Sequence, residues 1–172
     1  NWVTNRATGQ SFQDQLTGLM AGIGAEGETY VLLDRNGTLF AGGGLNATPH
    51  NLARFAVMML NDGKASGAQV VPEAVIASLE AGASREAFSN GPDAKKVYGD
   101  GNWSYRAQWW VRHTPGREAI NALGIQGQWI TIDRANDVAI IKQSSNPVSS
   151  DGDIDAYHYN AIDVITDYLS ER

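Results

Sequence analysis

Apolar residues recur with a helical period in some stretches of this chain and with a two-residue period in others, and that switch sets the predicted elements. In NATPHNLARFAVMMLNDG, Leu52, Phe55, Ala56, Met59 and Leu60 fall at i, i+3, i+4, i+7 and i+8. Thr48 stands where an N-cap belongs, Pro49 takes the first helical position, and Asn61-Asp62-Gly63 stops the run. SFQDQLTGLMAGIG predicts a shorter helix capped by Ser11, with Leu16, Leu19, Met20 and Ile23 near one face. VPEAVIASLEAG predicts another, with Pro72 near its start. The chain closes on an amphipathic helix whose predicted stripe is Ile154, Tyr157, Ala161, Ile162, Ile165, Tyr168 and Leu169.

Strand signals are separate from these. Tyr30 to Leu33, a turn at Asp34-Arg35-Asn36-Gly37 and a return over Thr38 to Phe40 predict a β-hairpin. Arg106 to Arg112, QWITIDR and DVAIIKQSS predict strands, the last two joined through Arg134-Ala135-Asn136-Asp137. DVAIIKQ is apolar on both faces, so its sheet is expected to be covered on both sides. Residues 82–104 are polar and aperiodic, a loop long enough to be functional or mobile. The order is helix, hairpin, two helices, loop, about three antiparallel strands and helix, which predicts an α+β fold. Residues 1–104 are then mostly helical with a hairpin, and 105–172 are antiparallel strands plus the C-terminal helix. NWVTNRATGQSF reads like the middle of a helix and has no signal-peptide features. The chain is therefore expected to begin inside a larger protein.

Composition narrows the partners. With 172 residues and 42% hydrophobic content, the chain can make one domain or a large part of one. Its 13 Lys and Arg against 19 Asp and Glu give a net charge of −6, which argues against a nucleic-acid partner. No apolar run has the length of a membrane span, so no membrane partner is expected. The absence of cysteine removes disulfides, thiolate chemistry and cysteine-ligated metals. His50, His113 and His158 show no metal-ligand spacing, so no metal or cofactor is expected.

Several motif-like stretches favour plain readings. Gly22-Ile23-Gly24-Ala25-Glu26-Gly27 matches GxGxxG, but a helix precedes it and a strand follows, the reverse of a dinucleotide site. It reads as a helix C-cap and turn. Asp151, Asp153 and Asp155 have calcium-loop spacing, yet Ala156 and Ile162 stand where glycine and glutamate are needed. They read as helix N-terminal acids. There is no GxSxG elbow and no serine with lysine three residues on, so the chain shows no nucleophile–base pair. Trp103, Tyr105, Trp109 and Trp110 leave two readings open, an aromatic core face or a stacking platform in a ligand-binding module. Trp110 is a candidate substrate contact.

TGQSFQDQL, the segment GAEGETYVLLDRNGTLFAGGGLNATPHNLARFAVMMLNDG, AQWWV, GIQGQWITID and DVAIIKQSS occur in an order that resembles the C-terminal half of a serine β-lactamase-like hydrolase. The resemblance is to the 6-aminohexanoate-dimer hydrolase and esterase branch of the class C β-lactamase fold. It covers nearly the whole chain and is weakest over residues 82–104. It implies an acyl-enzyme mechanism on amide or ester bonds, with the nucleophile box Ser-x-x-Lys and the Tyr-x-Asn box upstream, so the implied partner is the N-terminal half of the same protein.

The third box implied by the resemblance, of Lys-Thr-Gly type, corresponds to Ile125-Gln126-Gly127. Gly127 would let a small-molecule amide or ester lie against the strand, and the Gln128 backbone N–H is implied as an oxyanion donor. Gln126 replaces the usual histidine and cannot titrate. Ile125 replaces lysine, which weakens a β-lactam or peptide-carboxylate reading. Asn46 is implied near the substrate amide, or else serves as a turn residue. The alternative functions are a non-catalytic ligand-binding module and a catalytically dead relative that binds a partner.

Overall fold

A computed structural model describes residues 2–171. Helices α1 (Trp2–Thr8) and α2 (Phe12–Gly22) open the chain, and the Ser11 hydroxyl accepts from the Asp14 N–H as the expected cap of α2. The GxGxxG match is a turn. Ile23 caps α2, and Gly24 and Gly27 take the left-handed backbone that glycine permits. Strands β1 (Tyr30–Val31) and β2 (Leu45–Asn46) follow, then α3 (Pro49–Leu60), capped by Thr48 as predicted.

The first hairpin is longer than its sequence suggests. Asp34 Oδ1 accepts from the N–H groups of Asn36 and Thr38, and Leu33 pairs with Leu39 around the expected turn. The ladder then continues to Asn46, so Tyr30 faces Asn46 and Val31 faces Leu45. A short ribbon of β3 (Lys64–Ala65) and β4 (Ala68–Gln69) leads to α4 (Glu73–Ala81). The polar stretch over 82–104 contains a one-turn helix, α5 (Arg85–Ser89), capped by Ser84, and a 3₁₀ turn at Lys96–Tyr98.

Five antiparallel strands, not three, form the main sheet. They are β5 (Trp103–Arg106), β6 (Trp109–Arg112), β7 (Ala119–Gly124), β8 (Gln128–Asp133) and β9 (Val138–Lys142), and they pair in chain order. The run Arg106 to Arg112 is two strands because Ala107 and Gln108 turn the chain with positive φ. Strand β7 is hidden in the sequence because its central position is Asn121. That residue is fully buried, donates to the Trp110 and Ala119 carbonyls, and accepts from Thr131 Oγ1 at 2.9 Å.

The sheet is covered on both faces, as DVAIIKQ predicts. On one side, Val111, Ile120 and Ile132 pack with Ala56, Met58 and Met59 of α3 and with Ile76 and Leu79 of α4. On the other, Trp103 and Trp129 pack with Tyr98 and with Tyr159 and Ile162 of α6 (Gly152–Ser170). These aromatic rings meet at centroid distances near 5 Å in edge and tilted geometries, which suit their quadrupoles.

Helix α6 turns a different face to the sheet from the predicted one. Tyr159, Ile162 and Thr166 are buried, whereas Tyr157 is 76% exposed and Tyr168 58%. An acidic row sets this rotation. Asp163 takes Arg112 in a two-point ion pair at 2.7 and 3.0 Å, and Asp167 takes Arg117 one turn on. At the start of α6, Asp151 caps the Asp153 N–H, Asp153 pairs with Lys96 and Asp155 accepts from the Tyr98 hydroxyl, so the three aspartates serve the helix and its flank. Among the described residues no group of acids and histidines could hold a metal ion, and no helix is long and apolar enough to cross a membrane.

Candidate active site

The Gly124–Gln128 turn joins β7 to β8, and a loop arriving from β9 holds it in place. Gln126 adopts φ 58°, the left-handed region that a residue with a Cβ avoids. Its backbone is pinned on both sides: the N–H donates to Ser149 O at 2.8 Å, and the carbonyl accepts from the Asn146 N–H at 3.1 Å. The Gln126 side chain is exposed. The Gln128 side chain reaches back to the Ser144 carbonyl.

Gly127 is buried at φ +80°. The space a Cβ would fill is held by the protein's own polar groups. A methyl there would press on Ser144 Oγ and lie 2.6 Å from Asn146 Nδ2 and 2.7 Å from Lys142 Nζ. The close approach expected of a substrate at this glycine is thus made by Lys142, Ser144 and Asn146. Lys142 Nζ donates to Gly127 O at 2.9 Å and to Ser144 Oγ at 2.8 Å, and Ser144 Oγ lies 3.0 Å from the Gln126 and Gly127 carbonyls.

The expected oxyanion donor is the backbone of Gln128. Its N–H already closes the turn onto Ile125 O. The Ile125 N–H has no partner among the described residues, and Ile125 is 68% exposed. Of the two amides, that of Ile125 is the one not engaged in closing the turn.

Trp110 and the turn border one cavity of about 130 Å³, which Ile125, Gly127, Asn146 and Asp155 also line. Trp110 is half-buried there, with Tyr105 and Phe88 edge-on to it. Its neighbours do not join it in a platform. Trp103 is buried in the α6-side core, and Trp109 stacks on Phe55 on the opposite face of the sheet. Strand alternation sends Trp109 to the other face, whereas Trp103 shares the face of Trp110 and is enclosed in the core there. A larger groove of about 760 Å³ runs along α3 from His50 to Gly67 and includes none of the turn residues.

Asn46 lies at the same end of the sheet, because Gln143 just after β9 donates to Ala47 O at 3.2 Å. Its own side-chain amide donates to Gly44 O at 2.9 Å, which bends the chain before α3.

Burial sets the electrostatics around the turn. Desolvation holds the Lys142 ammonium below the ordinary lysine range, and Asp155 partly opposes this. Burial raises the Asp155 carboxyl, although the Tyr98 hydroxyl donates to it at 3.0 Å. Burial, with Lys142 nearby, lowers the His158 imidazole. Sequence reasoning missed Lys142, Ser144, Asn146 and Ser149. The signal available was a polar run, KQSSN, directly after an apolar strand.

Comparison with known proteins gives the family. The Beta-lactamase family matches residues 2–163. The chain belongs to that family. It is 34% identical over 162 residues to the 6-aminohexanoate-dimer hydrolase of Paenarthrobacter ureafaciens, which covers 94% of this chain and 39% of that protein. A solved structure from Bacillus anthracis, of a protein named for 6-aminohexanoate-dimer hydrolase activity, superposes with a TM-score of 0.73 at 28% identity. It covers 99% of this chain and 42% of that one. The β-lactamase-like chain therefore spans about two fifths of the length of these relatives.

Proposed function

We propose that this chain is the C-terminal part of a serine hydrolase that cleaves amide or ester bonds through an acyl-enzyme. The catalytic Ser-x-x-Lys and Tyr-x-Asn boxes then lie in an upstream part of the same polypeptide. The observation that supports this reading is the unpartnered N–H of the exposed Ile125, beside the braced Gln126 and Gly127, in a chain that aligns along 94% of its length with a hydrolase. In acyl transfer, negative charge develops on the former carbonyl oxygen, and a donor fixed in advance stabilises it without reorganising. Ile125 supplies one such donor, and the backbone N–H of the upstream serine supplies the second. Trp110 and the small cavity beside the turn give the substrate an apolar wall. Asn46 is assigned to the same end of the sheet and positions the chain before α3.

Gln126 carries no proton in this scheme, since an amide does not titrate. With Ile125 in place of a lysine, the box offers no charge of its own to a substrate carboxylate.

The test joins this chain to the upstream part of the Paenarthrobacter relative that it does not cover, then replaces Ile125→Pro. Gly124 already sits at φ −100°, ψ 163°, the extended backbone that a following proline requires, so the substitution deletes the N–H and spares the turn. Turnover of 6-aminohexanoate dimer should fall about 10²–10³-fold in kcat, with KM little changed. Unchanged kcat removes Ile125 from the mechanism.

A further inference from the structure

We propose that Lys142, acting with Ser144, is a positioning residue that holds the Gly124–Gln128 turn in the shape from which Ile125 presents its N–H. Its purpose rests on the acyl-transfer reading above, whereas the clamp itself rests on geometry alone.

Lys142 closes β9 on its α6-facing side, where the sheet ends and the turn of the neighbouring hairpin begins. Its ammonium reaches across to the Gly127 carbonyl and to Ser144 Oγ. Ser144 passes the restraint on to the Gln126 and Gly127 carbonyls. Two consecutive carbonyls are thereby gathered on one side of a turn that contains a left-handed glutamine and a left-handed glycine. Such conformations persist only where the surroundings fix them from several directions. Here the directions are the Lys142–Ser144 pair from one side and the backbone of Asn146 and Ser149 from the other. The remaining charge near Lys142 comes from Asp155 and His158 of α6, neither of which forms an ion pair with it among the described contacts.

A residue that merely filled space would leave the turn indifferent to its charge. A clamp makes the turn follow the protonation of the amine, because a charged donor binds a carbonyl more strongly than a neutral one.

The test uses the 172-residue chain and NMR. In Lys142→Met, which keeps an unbranched stem, amide exchange at Gln126 and Gln128 should rise about tenfold, while Ile132 and Ile141 in mid-sheet stay unchanged. In the unsubstituted protein, the carbonyl carbons of Gln126 and Gly127 should titrate together on the alkaline side, with a midpoint below that of an ordinary lysine. That titration should vanish in Lys142→Met. Burial holds His158 below the ordinary imidazole range, which keeps it separable, and Asp155→Asn identifies any contribution from that carboxyl. Ser144→Ala should loosen the turn and keep the titration. Unchanged exchange at the turn, uniform acceleration across β8 and β9, or a titration that survives in Lys142→Met would each overturn the proposal. None of these readings involves hydrolysis, so the clamp and the catalytic role of Ile125 succeed or fail separately.

Discussion

Replacing Gly127 with alanine isolates what the turn costs to hold. The substitution adds one methyl at φ +80°, where an L-residue is disfavoured by about 1–2 kcal/mol. The methyl also meets Lys142 Nζ, Ser144 Oγ and Asn146 Nδ2, all closer than a carbon can approach. Moving Lys142 aside gives up a charge-assisted hydrogen bond to Gly127 O, worth about 1.5–3 kcal/mol. Gly127→Ala should therefore destabilise the chain by about 2.5–5 kcal/mol. Gly67 provides the control. It has φ +79° in the β3–β4 turn, and a methyl there meets nothing within 4 Å. Gly67→Ala should cost only the backbone part, about 1–2 kcal/mol. Urea unfolding of both variants, compared at a common m-value, gives the difference directly. Equal losses would mean that the polar groups around Gly127 are not held against it, and the braced turn would be wrong.

Other consequences follow from the same contacts. Asp163→Asn leaves the largely buried Arg112 guanidinium without its two-point partner and should cost about 2–4 kcal/mol in chemical denaturation. Trp103→Ala empties a fully buried site on the α6 side and should cost about 3–5 kcal/mol. Trp110→Ala should cost less, because Trp110 borders a cavity. Burial is the leading cause that lowers the His113 and His158 imidazoles below the unfolded value. The unfolded chain therefore takes up protons first, and stability present above about pH 6.5 should fall as pH drops through the folded values. A series of urea midpoints against pH should show this decline, and replacing both histidines with glutamine should flatten it.

Local order was legible where backbone chemistry and apolar period agreed. Thr48, Pro49 and the Leu52–Leu60 stripe gave α3, and the two apolar faces of β9 gave a sheet buried on both sides. Two features were hidden because buried polar groups carry the packing. Asn121 interrupts the alternation of β7 while satisfying its hydrogen bonds in the core. The Asp163 and Asp167 ion pairs rotate α6 away from the stripe that hydrophobicity alone selects. At the candidate site, the two glycines and Gln126 marked a real turn between β7 and β8, but the choice between the Ile125 and Gln128 amides as proposed donor depends on which one closes it. That closure is a three-dimensional fact, as is the arrival of Lys142 and Ser144 from the next strand.

The central claim is that this chain furnishes a wall of a serine hydrolase site and not its nucleophile. Intact-mass measurement of the 172-residue chain after incubation with a serine-directed fluorophosphonate tests this most directly. The expected spectrum shows the unmodified mass alone, together with no release of p-nitrophenol from p-nitrophenyl acetate. A single stoichiometric adduct on one of its serines would place a nucleophile within these residues and contradict the account.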